Sequence, residues 1–462
     1  MTPEPTPEPT PELRVAVVAD DLTGAADTGA GFLRARLGTT VTWAEELLAD
    51  GVTVPTHGHT DVLAVDAGTR RATAEQAATT TGLVVEALRG AGTHVLYQKV
   101  DSMARGHLGA EVGAALRAWH PDAVAVVAPA FPAAGRSTVG GVQRVHGVPA
   151  ERGDLAARLD QAGVGPARVD LTAVRSADPR AAFVRSLRPG VRALLCDAET
   201  DADLAAIAGA AAALSRPVVW VGSAGLAHVL PHVLGLTDDS EPADKAGLTA
   251  TGKAGLTTDP EPAADGKSVP AAAGPVLVAV GSVHASAREQ VRHLLADGAG
   301  HVEVPVATLD HHVDVTLTAI RRHLRAGTDV VLTLSGELGA GGPDDHRLTA
   351  RLGELTRPLA DLVAGLVLTG GDTATGLLRA WGVPGLRLCA EVEPGVPLSV
   401  TTGPLRIPVV TKAGAFGDAD TLRRARARLA SFTASAAGAG LSSFSSSSSS
   451  SSAHSPSAEG ER

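Results

Sequence analysis

Two adjacent acids, Asp20 and Asp21, end the apolar run of "LRVAVVADDLTGAADTG", and Thr23 and Gly24 follow directly. An aspartate at a helix start caps it by accepting a backbone N–H. Two neighbouring acids point in different directions, so one caps while the other is free to take a hydroxyl proton or bind a cation. Adjacent like charges also raise one carboxyl pKa, which suits a general base. Asp27, a helical turn later, is expected to be a solvated helix residue.

"KVDSMARGHLGAEV" places Lys99, Asp101 and Arg105 within seven residues after "THVLYQ". The chain holds five lysines against 35 arginines. Lys245, Lys253 and Lys267 fall in a Pro/Ala/Gly-rich stretch, whereas Lys99 and Lys412 each end an apolar run. A compact ammonium differs from a planar guanidinium in geometry and hydration, so these two positions are expected to need it. The competing reading is a lysine snorkelling at a sheet rim. Arg105 and Gly106 precede the helical run "LGAEVGAALRAW", and an arginine beside the free N–H groups of a helix start forms an anion site. Arg136 is the sole charge of "APAFPAAGRSTVGG". A rigid loop presenting one guanidinium suits a carboxylate; a plain surface loop is the alternative.

Glycine turns supply the second set. "VGSAGLA" (222–227) and "VGSVHASAREQ" (281–290, with Ser282) share a strand, Gly-Ser, helix device whose amides can cradle phosphate. "LTGGDTATGLL" is stronger: Gly370 and Gly371 admit close backbone approach, while Asp372 and Thr373 bring an acid and a hydroxyl to a helix start. "VTKAGAFGD" adds Lys412, Gly414 and Gly417. No GxxxxGK[ST], no GxGxxG after the first strand, no GxSxG and no HExxH is present, which disfavours Walker, dinucleotide, hydrolase-elbow and zincin chemistry. His57/His59 and His311/His312 lack a ligand framework and read as exposed loop residues.

These turns need elements to position them. Ten apolar runs supply them: "LRVAVVAD", "DVLAVDA", "HVLYQKVD", "AVAVVAPAF", "VRALLCDA" and "PVVWVGSAG", then "PVLVAVGSV", "DVVLTLSG", "GLVLTGGD" and "RIPVVTKAG". Continuous apolar runs separated by helical stretches predict strands buried on both faces with crossover helices. The expected fold class is α/β: two α/β domains with mainly parallel sheets and a cleft between them. Ligands of such sheets bind outside the carboxyl ends of the strands. The expected domains are 12–235 and 275–433. They are separated by a flexible linker at 236–274 and flanked by a Pro/Glu/Thr tail at 1–11 and a Ser-rich tail at 434–462.

The 462 residues include 44% hydrophobic, 19% charged and only 2% aromatic residues, so the cores must be built from Ala, Val and Leu. A net charge of −10 argues against broad nucleic-acid binding. Cys196 and Cys389 form no CxxC pair and read as reduced thiols. No 18-residue apolar run occurs, so no membrane span is expected, and "MTPEPTPEPTPE" lacks signal-peptide regions; the expected location is cytoplasmic. A homodimer is allowed.

"VVADDLTGAADTG", "KVDSMARGHLGAE", "APAFPAAGRSTVGG", "GSAGLA", "TGGDTATGLL" and "TKAGAFGD" resemble, in order, the motifs of the four-carbon acid sugar kinases. The form "KVDS…RG" is similar to the threonate/erythronate branch. His107 stands where the family usually has asparagine. The resemblance implies an N-terminal sugar-acid domain, a C-terminal ATP domain and phosphorylation of the terminal hydroxyl. It implies nucleotide contacts from Ser282, Gly370, Gly371, Asp372, Thr373 and Gly414. The substrate side would draw on Asp20, Asp21, Lys99, Asp101, Arg105 and Arg136. It also implies ATP with Mg2+, an acid such as Asp372 near the ion, and Lys99 or Lys412 offsetting charge on the transferred group. A 3-oxo-tetronate kinase, a sugar-acid-binding protein without turnover, and an α/β dehydrogenase are the rival readings.

Overall fold

The computed structural model describes residues 13–49, 60–236, 274–309, 313–336 and 344–442. The N-terminal tail, nearly all of the expected linker, the serine run and the two His pairs lie outside the described residues.

The first half contains β1 (Val15–Ala19), α1 (Leu22–Leu33), β2 (Thr39–Trp43), α2 (Ala44–Ala49), β3 (Val62–Asp66), α3 (Ala74–Gly90), β4 (Val95–Lys99), α4 (Leu108–Trp119) and β5 (Val124–Ala128). It continues with β6 (Arg136–Val139), β7 (Val142–Val145), β8 (Val148–Asp154), α5 (Leu155–Gln161), β9 (Pro166–Val169), α6 (Leu171–Val174) and α7 (Pro179–Ser186). It ends with β10 (Ala193–Cys196), α8 (Asp201–Ala212), β11 (Val218–Gly222) and α9 (Ala224–Val233). The second half contains β12 (Val276–Val280), α10 (Ala285–Ala296), β13 (Gly300–Pro305), α11 (Val313–Arg325), β14 (Val330–Ser335) and α12 (Asp344–Thr356). Then come β15 (Gly365–Thr369), α13 (Gly371–Ala380), β16 (Gly385–Glu393), β17 (Val396–Thr401), β18 (Pro408–Lys412) and α14 (Thr421–Ser442).

Each of the ten apolar runs forms a strand. In β1, Val15, Val17 and Ala19 enter one apolar core while Ala16 and Val18 enter the core on the opposite face. That two-sided burial is why the run is continuously apolar. The halves do not carry separate sheets. One 15-stranded sheet runs β13-β14-β12-β15-β18-β17-β16-β2-β3-β1-β4-β11-β5-β10-β9, and β6, β7 and β8 form a small second sheet. The joint is the antiparallel pair β16–β2, with Gly385 opposite Thr42 and Arg387 opposite Thr40. One apolar core extends across it, from Val15 and Trp43 to Leu386, Leu388 and Val409.

Three successive antiparallel pairings, β2–β16, β16–β17 and β17–β18, reverse the parallel strands of one half relative to the other. In a flat sheet the two sets of carboxyl ends would then lie on opposite edges. Contacts between those ends, given below, require the sheet to turn sharply, and β16 carries two register shifts opposite β17 at this place. Helix α1 wedges into the joint: a Cβ on Gly29 would stand 2.8 Å from both Leu388 and Thr39 side chains. Among the described residues, no helix is long and apolar enough to cross a membrane.

Trp43 on β2 is buried and donates its indole N–H to the Val383 carbonyl at 2.7 Å, tying the halves together. Trp43→Phe keeps an aromatic side chain of smaller volume and removes the donor to that carbonyl. The expected cost is about 1–3 kcal/mol, read as a lower urea midpoint at unchanged m-value.

Candidate active site between the two halves

Strands β3, β1 and β4 are neighbours, and Ala19 at the end of β1 lies opposite Asp66 and Lys99. Their carboxyl ends therefore deliver Asp20, Asp21, Asp66, Lys99 and Asp101 to one place. Asp21 is the N-cap of α1: Gly24 N–H donates to Oδ1 at 2.7 Å and the Thr23 hydroxyl to Oδ2 at 2.8 Å. Asp20 turns the other way, where Arg70 donates through Nε and Nη2, both at 2.8 Å. Arg70 also donates to Asp21 and lies 3.5 Å from Asp101. One guanidinium thus serves three carboxylates.

Asp101 is further held by the N–H groups of Met103 and Arg105 and by the Arg105 side chain at 2.8 and 2.7 Å. Burial would push its carboxyl up, but Arg70 and Arg105 hold it well below the usual carboxylate range. Burial works against Asp21 too, and Arg70, Lys99 and the Thr23 and Gly24 donors outweigh it. For Asp20, burial dominates and the pKa is raised, with Arg70 pulling the other way.

The glycine turns also follow three adjacent strands, β12, β15 and β18, with Val280 opposite Thr369 and Thr369 opposite Lys412. Gly370 adopts φ +102° and caps α13, a backbone shape that favours glycine. A Cβ on Gly371 would lie 2.9 Å from Asp21 Oδ2 and 3.3 Å from Thr23 Oγ1. The second half's phosphate-type turn therefore touches the first half's acid turn. Arg71 completes the contact with a 2.6 Å ion pair to Asp372.

Two cavities occupy this junction. The smaller, about 230 Å³, is walled by Asp21, Thr23, Gly24, Asp27, Lys99, Asp101, Arg105 and Ser223 on one side. Ser282, His284 and Ala413–Phe416 close it from the other half. The larger, about 330 Å³, lies between Asp21, Arg70, Arg71 and Arg105 and the turns Gly281–Val283, Gly370–Thr373 and Ala413–Gly414. Asp21, Thr23, Arg70, Arg105, Ser282 and Gly414 border both. A groove of about 790 Å³ continues from Gly281–Val283 along Arg288, His301, Glu303 and Thr333.

The structure thus brings together Asp21, Lys99, Asp101, Arg105, Ser282, Gly370, Gly371, Asp372, Thr373 and Gly414. Asp20 sits behind Arg70 and borders neither cavity. Arg136 is buried on β6 rather than displayed by a loop; its guanidinium lies 5.6 Å from the Phe416 ring and borders neither cavity. Lys412 borders neither cavity; its Nζ is buried without a hydrogen-bond partner among the described residues, and burial lowers its pKa to about 8. His107 opens α4 with its ring Nε2 2.6 Å from the Ala72 carbonyl.

Three site residues escaped the sequence reading. Arg70 and Arg71 come four and five residues after β3, in "DAGTRR", past the strand-end position that singled out Lys99. Asp27 is not solvated: it is 8% exposed, because α1 is enclosed between the halves. Its i+3 and i+4 spacing from Gly24 and Thr23 was the available signal.

Arg70→Met removes the shared cation at similar volume. The expected loss is about 3–5 kcal/mol at pH 8, since three carboxylates stay buried without it. Asp20, left without its donor, titrates further above its unfolded value, so the folded variant gains protons as pH falls and the deficit narrows by pH 5. A deficit equal at both pH values, in urea unfolding, would contradict this electrostatic role.

Known proteins agree with this division of labour. Residues 15–230 match the family model for a sugar-binding N-terminal domain, and 277–422 that for a nucleotide-binding C-terminal domain. The chain is 36% identical over 444 residues to a D-threonate kinase of Cupriavidus necator, covering 88% of this chain and 96% of that one. It is 27% identical to a D-erythronate kinase of Heliobacterium modesticaldum, covering 88% and 94%. A Salmonella typhimurium structure described as a putative tRNA synthase shares the fold, with TM-score 0.68 at 20% identity over 90% of this chain and 99% of that one. A Haemophilus influenzae protein of family DUF1537 does likewise, at TM-score 0.62, 20% identity, 90% and 100%. With acid-bearing turns in a sugar-binding half and glycine turns in a nucleotide-binding half, this chain belongs to the four-carbon acid sugar kinase family.

Proposed function

We propose that this kinase transfers the γ-phosphoryl group of ATP to the terminal (4-) hydroxyl of D-threonate, with D-erythronate the next acceptor. The observation that carries the reading is the contact between the acid turn and the glycine turn, Gly371 against Asp21. It leaves two connected cavities, one small and lined by side-chain charges, the other bordered by three backbone turns.

Phosphoryl transfer depends on positioning and charge stabilisation. The sugar acid occupies the smaller cavity. Arg105 spends Nε and Nη2 on Asp101, which leaves Nη1 for the substrate carboxylate. Lys99, buried beside Gly24, adds positive charge near the reacting oxygen. The backbone amides at the start of α13, with Ser282 and Gly414, hold the ATP phosphates in the larger cavity. The long groove beside α10 takes the nucleoside. Among the described residues, no three acidic, Cys or His side chains converge as a metal cage. Two carboxylates border the phosphate cavity: Asp21, taken up by Gly24, Thr23 and Arg70, and Asp372 at the glycine turn, an oxygen donor that fits Mg2+ carried in on ATP. Bound there, the ion would neutralise charge on the β- and γ-phosphates. We place the reaction in the cytoplasm.

The test is a panel of D-threonate, D-erythronate and 3-oxo-tetronate with ATP and Mg2+, scored by ADP release. D-Threonate should give the highest kcat/KM. A preference for 3-oxo-tetronate would move the chain to the other branch, and acid binding without ADP release would make it a binding protein. Arg105→Ala should raise KM for the acid about 10-fold or more and leave KM for ATP within about 3-fold. The reverse split would move the carboxylate site elsewhere.

A further inference from the structure

The acids that border the smaller cavity are not equivalent. Asp21 is saturated by Gly24, Thr23 and Arg70. Asp101 accepts from two backbone N–H groups and from two nitrogens of Arg105. Asp20, held by Arg70, borders neither cavity. Asp27 differs: it borders the smaller cavity, its Oδ1 is buried, and among the described residues no hydrogen bond satisfies that oxygen. A buried carboxylate oxygen left unpaired in a native fold requires an explanation, and a ligand hydroxyl is the one this cavity offers.

The helix geometry places Asp27 well for that. Thr23, Gly24 and Asp27 occupy one face of α1, and all three border the cavity. Lys99 borders it from β4. The groups around Asp27 are Lys99 and Tyr97 from β4, Glu391 from β16, Arg34 at the end of α1 and Asp21 at its start. Asp66 ends β3, Asp372 of α13 is engaged by Arg71, and His228 of α9 packs on Gly31 one turn along. Glu391 is itself paired with Arg34, at 2.7 Å from Nε.

We propose that Asp27 accepts the proton of the attacking sugar-acid hydroxyl, an assignment that rests on the kinase reading above. The O–H bond breaks and its proton passes to the Asp27 carboxylate. The oxygen forms the new O–P bond as the bond from the γ-phosphorus to the β–γ bridging oxygen breaks, and ADP leaves with that electron pair. Burial pushes the Asp27 carboxyl up to about 7, against the pull of Lys99. A base of that strength is matched to neutral pH. Asp21 and Asp101, held low by their donors, are weaker bases.

The test compares the unaltered protein with Asp27→Asn in D-threonate and ATP turnover across pH 5.5–9. The unaltered protein should show a kcat that rises with pH through an apparent pKa near 7. Asp27→Asn should lower kcat at least ~100-fold, keep KM for the acid within about 3-fold, and lose that acidic limb. Calorimetric binding of D-threonate to the variant shows that its pocket is intact. Should the variant not fold, the pH profile of the unaltered protein still decides: a kcat flat from pH 5.5 to 8 overturns the assignment. A variant kcat within 5-fold of normal, or an unchanged acidic limb, overturns the base while the kinase stands. An unaltered protein with no ATP-dependent product overturns both.

Discussion

The arrangement depends on Arg70. Three parallel strands end side by side and bring Asp20, Asp21 and Asp101 to the same corner. Three carboxylates in one partly dry pocket repel each other and resist burial. A guanidinium is planar and forked, so it can satisfy one acid with two nitrogens and still reach two others, which an ammonium could not do. With those acids fixed, the Asp21 cap starts α1 at a set angle, and α1 carries Thr23, Gly24 and Asp27 to the cavity wall. The same acid cluster meets Gly371 of the other half, so the charge balance in one turn sets the floor for the other.

The joint between halves is the second constraint. The chain connects them through residues 237–273, yet the structural connection is the β2–β16 pair and the apolar core beneath it. Trp43, Leu388 and α1 make that junction an interior rather than a surface. The cleft is thus open at the strand ends and closed along the sheet. Arg71 with Asp372, half-buried at the phosphate cavity, and Arg379 with Glu45, more exposed, are ion pairs between the halves, and exposed pairs carry little energy and separate readily. Any closing motion has to flex the sheet at the joint or shift these contacts.

Much of this was legible in the sequence, for a specific reason. Strands buried on both faces read as unbroken apolar runs, and all ten such runs are strands. Among the described residues eight further strands were missed, β2, β6–β9, β13, β16 and β17, and none is an unbroken apolar run. β2 is "TTVTW", β13 alternates buried and exposed residues at a sheet edge, and β16 and β17 mix polar residues into antiparallel pairs. Those include every strand of the joint, so two sheets were expected where one exists. The site followed the same logic. Residues directly after apolar runs were found, from Asp21 and Lys99 to Ser282 and Gly370. Arg136 and Lys412 were found too, but sequence position does not say what a side chain reaches, and neither borders the two cavities. Arg70 lies four residues past its strand. Asp27 lies inside a helix whose burial depends on the unseen joint.

For phosphoryl transfer the two sets of strand ends must form a single reaction space. The most direct measurement is a crystal structure of the protein with a non-hydrolysable ATP analogue, Mg2+ and D-threonate bound together. The γ-phosphorus is expected between Asp21 and the start of α13, with the 4-hydroxyl oxygen within about 3–3.5 Å of it. A triphosphate docked away from the Gly370–Thr373 turn, or a sugar acid held outside the Asp27–Lys99 cavity, would contradict it.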